Sequence, residues 1–308
     1  MTRAEYVHEW RALGVHCRVA AIHPIDGDAI EQTVATWESQ LSRFQSTSEL
    51  MRLNRQRRAH VSATLHQVIL VAREIAVWSQ GLVVPSLAQV MYEIGYDRSF
   101  DAMPKHQSTM SSATVVPDWR GIHVQGRTVS LPADVQLDVA GVAKGWMAQR
   151  LVSQHTLTHP TLLVQLGGDI VVSAPVEDPW CIAIDHPFMP APVAHIALAE
   201  GAVMTSSVYS RRWERAGRPT HHIIDPRSGS PAQSDVATAT VIAADAAYAE
   251  AGAKVAVILG VDAGLAWLSV RGLPALVVDH AGVAHTNHEW HPFVWPDAAH
   301  VAPNEVFI

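Results

Sequence analysis

The sequence predicts a mixed α/β (α+β) fold. Three observations carry this. Helical and strand periodicities interleave along the chain rather than separating into halves. Apolar residues fill 48% of the 308 positions and charged residues 17%, enough for a large buried core. No segment recurs at a fixed period, which excludes a solenoid. No linker-like run marks a boundary, so residues 1–308 are read as one domain.

The elements follow in order. Val15, Cys17, Val19 and Ala21 alternate within Gly14–His23, as in a half-buried strand. From about Asp28, Ile30, Val34, Trp37, Leu41 and Phe44 recur three or four apart, which predicts a helix with one apolar stripe. Gln45–Asn54 is polar and reads as a loop. Ser62–Gln80 reads as a helix, capped by Ser62, with Leu65, Val68, Ile69, Ala72, Ile75 and Ala76 inward and Gly81 suited to the left-handed position after its end. Met103–Asp118 is mixed and polar, a surface excursion, and Gly121–Leu131 predicts a hairpin turning near Gly126. A helix is expected over Val139–Val152. Strands are expected over Thr161–Ser173, Trp180–Asp185, Val193–Ala199 and Val236–Ala243. Ala246–Leu259 reads as a helix closed by Gly260. Asp262 is placed to cap a further helix ending near Gly272, and Pro274–Asp279 is a short strand.

Composition narrows the function. The formal charge of −7 argues against a general nucleic-acid binder. No apolar run of about eighteen residues occurs, so no helix is expected to span a membrane. Met1–Trp10 is polar and unlike a secretory signal, and the cytoplasm is the expected compartment. Cys17 and Cys181 match no metal spacing and read as two inert thiols. Of 22 basic residues only Lys105, Lys144 and Lys254 are lysines. His285, His288 and His291 recur at a spacing of three, a weak zinc signal set against a solvated polar loop.

Four segments carry candidate chemistry. Trp37–Phe44 leads into Ser48-Glu49-Leu50-Met51-Arg52-Leu53-Asn54; by itself this suits a core Phe44 and a helical turn begun at Ser48. Leu137-Asp138-Val139-Ala140-Gly141-Val142-Ala143-Lys144-Gly145-Trp146 places a carboxylate before a helix start and a lysine inside it. A helix N-terminus with a lysine suits an anion, and a tight turn with a solvated lysine suits the pattern equally. Leu166-Gly167-Gly168-Asp169-Ile170 permits close backbone approach to a ligand, or simply turns. Thr205-Ser206-Ser207, then Arg211-Arg212-Trp213, then His221-His222-Ile223-Ile224-Asp225-Pro226-Arg227-Ser228-Gly229 offers a histidine beside an aspartate, a general-base arrangement or a core histidine beside a turn.

Taken together and in this order, the segments resemble the ApbE-type flavin transferase family. They match its aromatic followed by Ser-Glu-Leu-x-x-Leu-Asn, its Asp-Leu-Gly/Ser-x-x-Ala-Lys-Gly-Tyr, its Gly-Gly-Asp-Ile, and its His-Ile-Ile-Asp-Pro-Arg-Thr-Gly. Trp180–Pro187 resembles a family strand as well. The resemblance implies an ApbE-like, T-fold-related architecture with FAD held between two intimately joined subdomains. It implies transfer of FMN from FAD to a threonine of a client protein, with AMP released. FAD contacts are implied for Phe44, Asp138, Lys144, Gly168, Thr205, His222 and Ile224. Leu13 and Ser86 fall where relatives line the flavin pocket, and core packing for Leu13 and a loop hydroxyl for Ser86 are equally open. His222 would be the base, oriented by Asp225. Magnesium would meet the Gly141 carbonyl and Glu250. A flavin carrier without activity and an FAD pyrophosphatase are the competing readings.

The chain departs from the family in places. Gln149 and Val208 stand where relatives often have Asp. Relatives also have Ala-Asp-Ala-Leu-x-Thr-Ala, whose Asp and Thr bind magnesium, where this chain reads Ala249-Glu250-Ala251-Gly252-Ala253-Lys254-Val255. Glu can ligate a hard cation. A protonated Lys has no lone pair to offer. Either Glu250 and Lys254 form a helix-surface pair of about 0.2–0.5 kcal/mol, or the Lys254 ammonium takes the metal's place, acts on pyrophosphate itself and weakens magnesium dependence.

Overall fold

The computed structural model describes residues 5–108, 115–295 and 306–307. Among the described residues seven α-helices occur: α1 Gly27–Leu41, α2 Glu49–Gln56, α3 Ala63–Trp78, α4 Ala88–Glu93, α5 Ala140–His155, α6 Ala246–Leu259 and α7 Val261–Ser269. None is long and apolar enough to cross a membrane. The chain forms two compact units. Unit 1 takes residues 1–34, 144–207 and 234–308, and unit 2 takes residues 35–143 and 208–233.

Unit 1 is built on an eight-stranded sheet in the order Tyr6–Ala12, Val15–Ala21, Leu162–Leu166, Asp169–Ser173, Glu200–Ser207, Val236–Ala243, Ala275–Asp279 and Ala284–Thr286. Every neighbouring pair is antiparallel. The class is therefore α+β, with hairpins where a parallel sheet would need crossovers. α6 packs against Glu200–Ser207 and Val236–Ala243. Apolar side chains of the sheet, among them Leu163, Ile170, Val172, Val203 and Ile242, meet Trp180, Ile182, Ile184, Ile196 and Leu198 of a smaller sheet. Strand alternation sends one side-chain set to each face, so a single sheet can serve both layers.

The first strand, Tyr6–Ala12, was not expected, because its burial pattern is mostly exposed and no apolar alternation betrays it. It turns at Leu13 and Gly14, both at positive φ (57° and 67°), so that Ala12 faces Val15. Two central residues at positive φ match the right-handed strand twist. The central strand Glu200–Ser207 lies outside the strands that the sequence predicts. Thr161–Ser173 is two strands, broken at Gly167 with φ of 69°. α7 is capped from elsewhere than Asp262: Asp235 Oδ1 accepts the Val261 N–H at 3.0 Å.

Unit 2 holds α2, α3 and α4 with short strands. α3 buries the six apolar residues read from its periodicity, and Ser62 Oγ accepts the Leu65 N–H. Each such fully buried Leu, Ile or Val contributes about 1.5–3 kcal/mol of transfer free energy. The expected loop at Gln45–Asn54 is helical from Glu49, because Ser48 caps the Met51 N–H and Leu50 and Leu53 are buried. The hairpin closes at Gly126, with φ of 53°. The excursion Met103–Asp118 is partly structured. Met103 and Val116 pack on a cluster of Val90, Met91, Ile94, Tyr96, Trp213 and Ile224, and residues 109–114 lie outside the described residues.

Candidate functional site

Two polar clusters stand out, one in each unit. In unit 1, α5 presents Lys144 and α6 presents Glu250 and Lys254, one helical turn apart. Glu250 is buried, and its Oε1 accepts from Lys144 Nζ at 3.3 Å and from Lys254 Nζ at 3.1 Å. Its Oε2 accepts the Gly145 N–H at 3.0 Å. Lys144 also donates to Asp169, which is itself buried. A Cβ at Gly145 would lie 2.9 Å from Glu250 Oε2 and 3.1 Å from the Ala246 carbonyl oxygen, so a side chain there would crowd the glutamate and the α6 backbone.

Electrostatics couples the four groups. Burial pushes Glu250 up, but the Lys144 and Lys254 charges outweigh it and hold its carboxyl below the usual glutamate range. Burial raises Asp169, and the opposing Lys144 charge does not cancel the shift. Burial lowers Lys254, with Glu250 resisting. The strand ends nearby are fixed as well. The Thr205 N–H donates to the Gly168 carbonyl at 2.9 Å, and the Thr205 and Thr240 hydroxyls pair at 2.8 Å. A Cβ at Gly168 would sit 3.2 Å from the Thr205 carbonyl oxygen, which accounts for the second glycine of the turn.

In unit 2 the organising cation is Arg43, which is buried and was not singled out from the sequence. Its Nε donates to Asp138 Oδ2 at 2.9 Å and its Nη1 to the Tyr96 carbonyl at 2.5 Å. The guanidinium lies 4.1 Å from the Phe44 ring centre and 4.6 Å from that of Tyr96. These are cation–π distances, the contact that arginine favours with aromatic rings. Tyr96 in turn meets Phe44, Trp213 and, edge-on at 6.5 Å, His222. Burial holds the Tyr96 phenol above its ordinary range against the pull of Arg211 and Arg43.

Residues 13–277 match the sequence pattern of the ApbE family. The chain is a member of the ApbE family. A protein from Treponema pallidum named FAD:protein FMN transferase is 30% identical, with 89% of this chain and 84% of that protein covered. One of the same name from Vibrio cholerae is 25% identical over 81% of this chain and 78% of its own length. Among solved structures, the ApbE protein of Thermotoga maritima superposes with a TM-score of 0.84 at 22% identity, covering 94% of this chain and 98% of its own. The apo flavinyl transferase ApbE of Pseudomonas stutzeri gives 0.80 at 21% identity, covering 93% and 96%.

The structure places the ApbE-motif residues as follows. Lys144, Gly168, Thr205, Glu250 and Lys254 belong to unit 1 together, and Phe44, Ser86, Asp138, Gly141, His222, Ile224 and Asp225 to unit 2. Leu13, in unit 1, is half-buried in the first hairpin turn. Ser86 is fully buried and donates to the Pro117 carbonyl at 2.7 Å. Asp138 is engaged twice, by Arg43 and by the Ala140 N–H at 2.9 Å, so it caps α5. Gly141 lies half-buried in the first turn of that helix. Ile224 buries its side chain in the unit 2 core.

Some expectations change. The Asp225 carboxylate is engaged by Arg227, through Nε and Nη2 at 2.9 and 2.8 Å, and its Oδ1 also accepts the Arg227 N–H. Phe44 lies past the end of α1 and is more than a third exposed. Gln149, where relatives often have Asp, accepts the Ala246 N–H at 3.2 Å at the start of α6. His285 pairs with Asp279. The zinc pattern fails to form, because the group of ligating side chains drawn together among the described residues is His8, Asp28 and Glu31.

The donor set does not fit magnesium. Both Glu250 oxygens already accept hydrogen bonds, and Lys254 Nζ offers no lone pair when protonated. A cation ligated at Oε1 would face two ammonium groups bound to that same oxygen. Two unit charges 4 Å apart interact by about 4 kcal/mol at an effective dielectric of about 20, and a divalent ion doubles the repulsion.

Proposed function

We propose that the protein transfers FMN from FAD to a threonine hydroxyl of a client protein. The observation that carries this reading is the unit 1 cluster, two ammoniums gathered beside a Gly-Gly turn in an ApbE-family chain. Its relatives bear the name FAD:protein FMN transferase. The threonine oxygen bonds to the FMN phosphorus, the bridging phosphoanhydride bond breaks, and AMP departs with the bonding electrons. His222 takes the hydroxyl proton. Such displacement depends on in-line positioning and on neutralising developing charge, and Lys144 supplies charge on the FAD side. Phe44, the exposed member of the unit 2 aromatic cluster, offers ring surface to an isoalloxazine, and the buried Tyr96 ring packs against it. Magnesium, which the resemblance places at Gly141 and Glu250, is assigned no step, because the donor set does not fit it. The cytoplasm is the compartment we assign.

Incubating the protein with FAD and a threonine-bearing client tests this. A fluorescent client band surviving denaturation, with AMP released in equal amount, is expected. AMP and free FMN without the band would make the protein a pyrophosphatase. Neither product would make it a carrier. His222→Ala should lower transfer by about 10²–10⁴-fold while FAD binding persists.

A further inference from the structure

Glu250, Lys254, Lys144 and Asp169 form a closed set in which two ammoniums face two carboxylates and the formal charges cancel. Glu250 is placed by three donors and by the missing side chain at Gly145. Lys254 also donates to the Glu250 backbone carbonyl, at 3.3 Å, which draws its stem along its own helix. Both lysines keep about a fifth of their side-chain surface in water, 20% for Lys144 and 19% for Lys254. They are thus anchored by the carboxylates and still open to an anion.

We infer that Lys254 is a tethered replacement for a divalent cation, so that this protein engages a dianionic pyrophosphate without a metal at Glu250. The longer side chain at position 250 belongs to the same exchange. Glutamate reaches both ammoniums and the Gly145 N–H at once, and Gly145 leaves room for it. An ammonium held four residues from its carboxylate on one helix face is permanently supplied, whereas a diffusible ion must be bound from solution. The inference rests on FAD being the substrate, and its test reads metal binding separately from transfer.

Full-length protein is stripped with EDTA and titrated with Mn2+ by electron paramagnetic resonance, with and without FAD. A Glu31→Gln background removes the partly exposed His8–Asp28–Glu31 group as a competing ligand set. No stoichiometric Mn2+ is expected in that background, and one equivalent is expected once Lys254→Thr is added. FMN transfer by the wild type should change less than twofold between EDTA and millimolar Mg2+. In Lys254→Thr it should rise at least tenfold with Mg2+. Lys254→Met, which keeps the stem and removes the charge, should lose FAD affinity at least tenfold and gain no Mn2+ site. Stoichiometric Mn2+ bound in the background protein would overturn the inference. So would wild-type transfer abolished by EDTA and restored by Mg2+. A protein that transfers no FMN under any condition, yet shows the expected Mn2+ pattern, would remove the transferase reading and leave the metal replacement standing.

Discussion

Both units bury cations against carboxylates, and they do so with different chemistry. Unit 1 uses two flexible lysines converging on one glutamate oxygen. Unit 2 uses one arginine, set close to two rings and fixed to Asp138 and to a backbone carbonyl. Lysine is a compact point charge that can swing toward a ligand, while guanidinium gains from rigid, planar partners. The unit 1 cluster is therefore suited to exchanging partners when an anion arrives. The unit 2 cluster is suited to holding aromatic walls still.

That contrast can be broken by mutation. The largest effect is expected from Glu250→Ala, which leaves two ammoniums with Asp169 alone. Unfolding in urea should show a loss of about 3 kcal/mol, the lower end for a broken buried pair because both lysines reach water. Glu250→Gln should cost less, since an amide oxygen still accepts the Gly145 N–H. Equal losses would mean that charge is not what the site stores. Next comes Arg43→Lys, which keeps the charge and removes the guanidinium from beside the two rings. A loss of about 1–3 kcal/mol is expected, together with weaker flavin binding by fluorescence titration. A silent Arg43→Lys would erase the proposed difference between the units.

Smaller effects sharpen the picture within unit 2. Ser62 caps α3 and donates to Glu49, so Ser62→Ala should cost about 1 kcal/mol in denaturant melts. The Asp225–Arg227 pair gives the smallest. Burial pushes Asp225 up, but the Arg227 hydrogen bonds and charge outweigh it and its folded value lies below the ordinary aspartate range. A depressed carboxyl contributes stability above its unfolded value and loses it as pH falls through the folded one. Arg227→Met should flatten that acid limb by about 0.2–1 kcal/mol in urea melts run at successive pH values.

Local signals made much of the fold legible. The six inward residues of α3, its Ser62 cap and the turns at Gly81 and Gly126 follow from periodicity and backbone freedom. Tyr6–Ala12 is hidden because an edge strand that is largely exposed on both faces carries little alternation. Glu200–Ser207 was hidden because Thr205, Ser206 and Ser207 look like loop residues until the neighbouring strands pair with them. At the site, spacing and family likeness pointed to Lys144 and Glu250. They did not reveal that Asp169 closes the cluster, although it stood inside the quoted Gly-Gly-Asp motif. Arg43 does not stand out in the sequence, because an arginine-rich composition makes any one arginine look ordinary. Long-range partners of this kind are set by topology, which no local window contains.

The order in which the sheet is threaded has a consequence for synthesis. Val15–Ala21 pairs on one side with its own hairpin partner, but its other neighbour is Leu162–Leu166, and all of unit 2 up to residue 143 is translated in between. At about 5–20 residues per second on the ribosome, that strand's open edge waits roughly 7–28 seconds for its mate. A nascent chain in this interval presents an unpaired template to any passing strand, and it is then that a holding chaperone would do the most good.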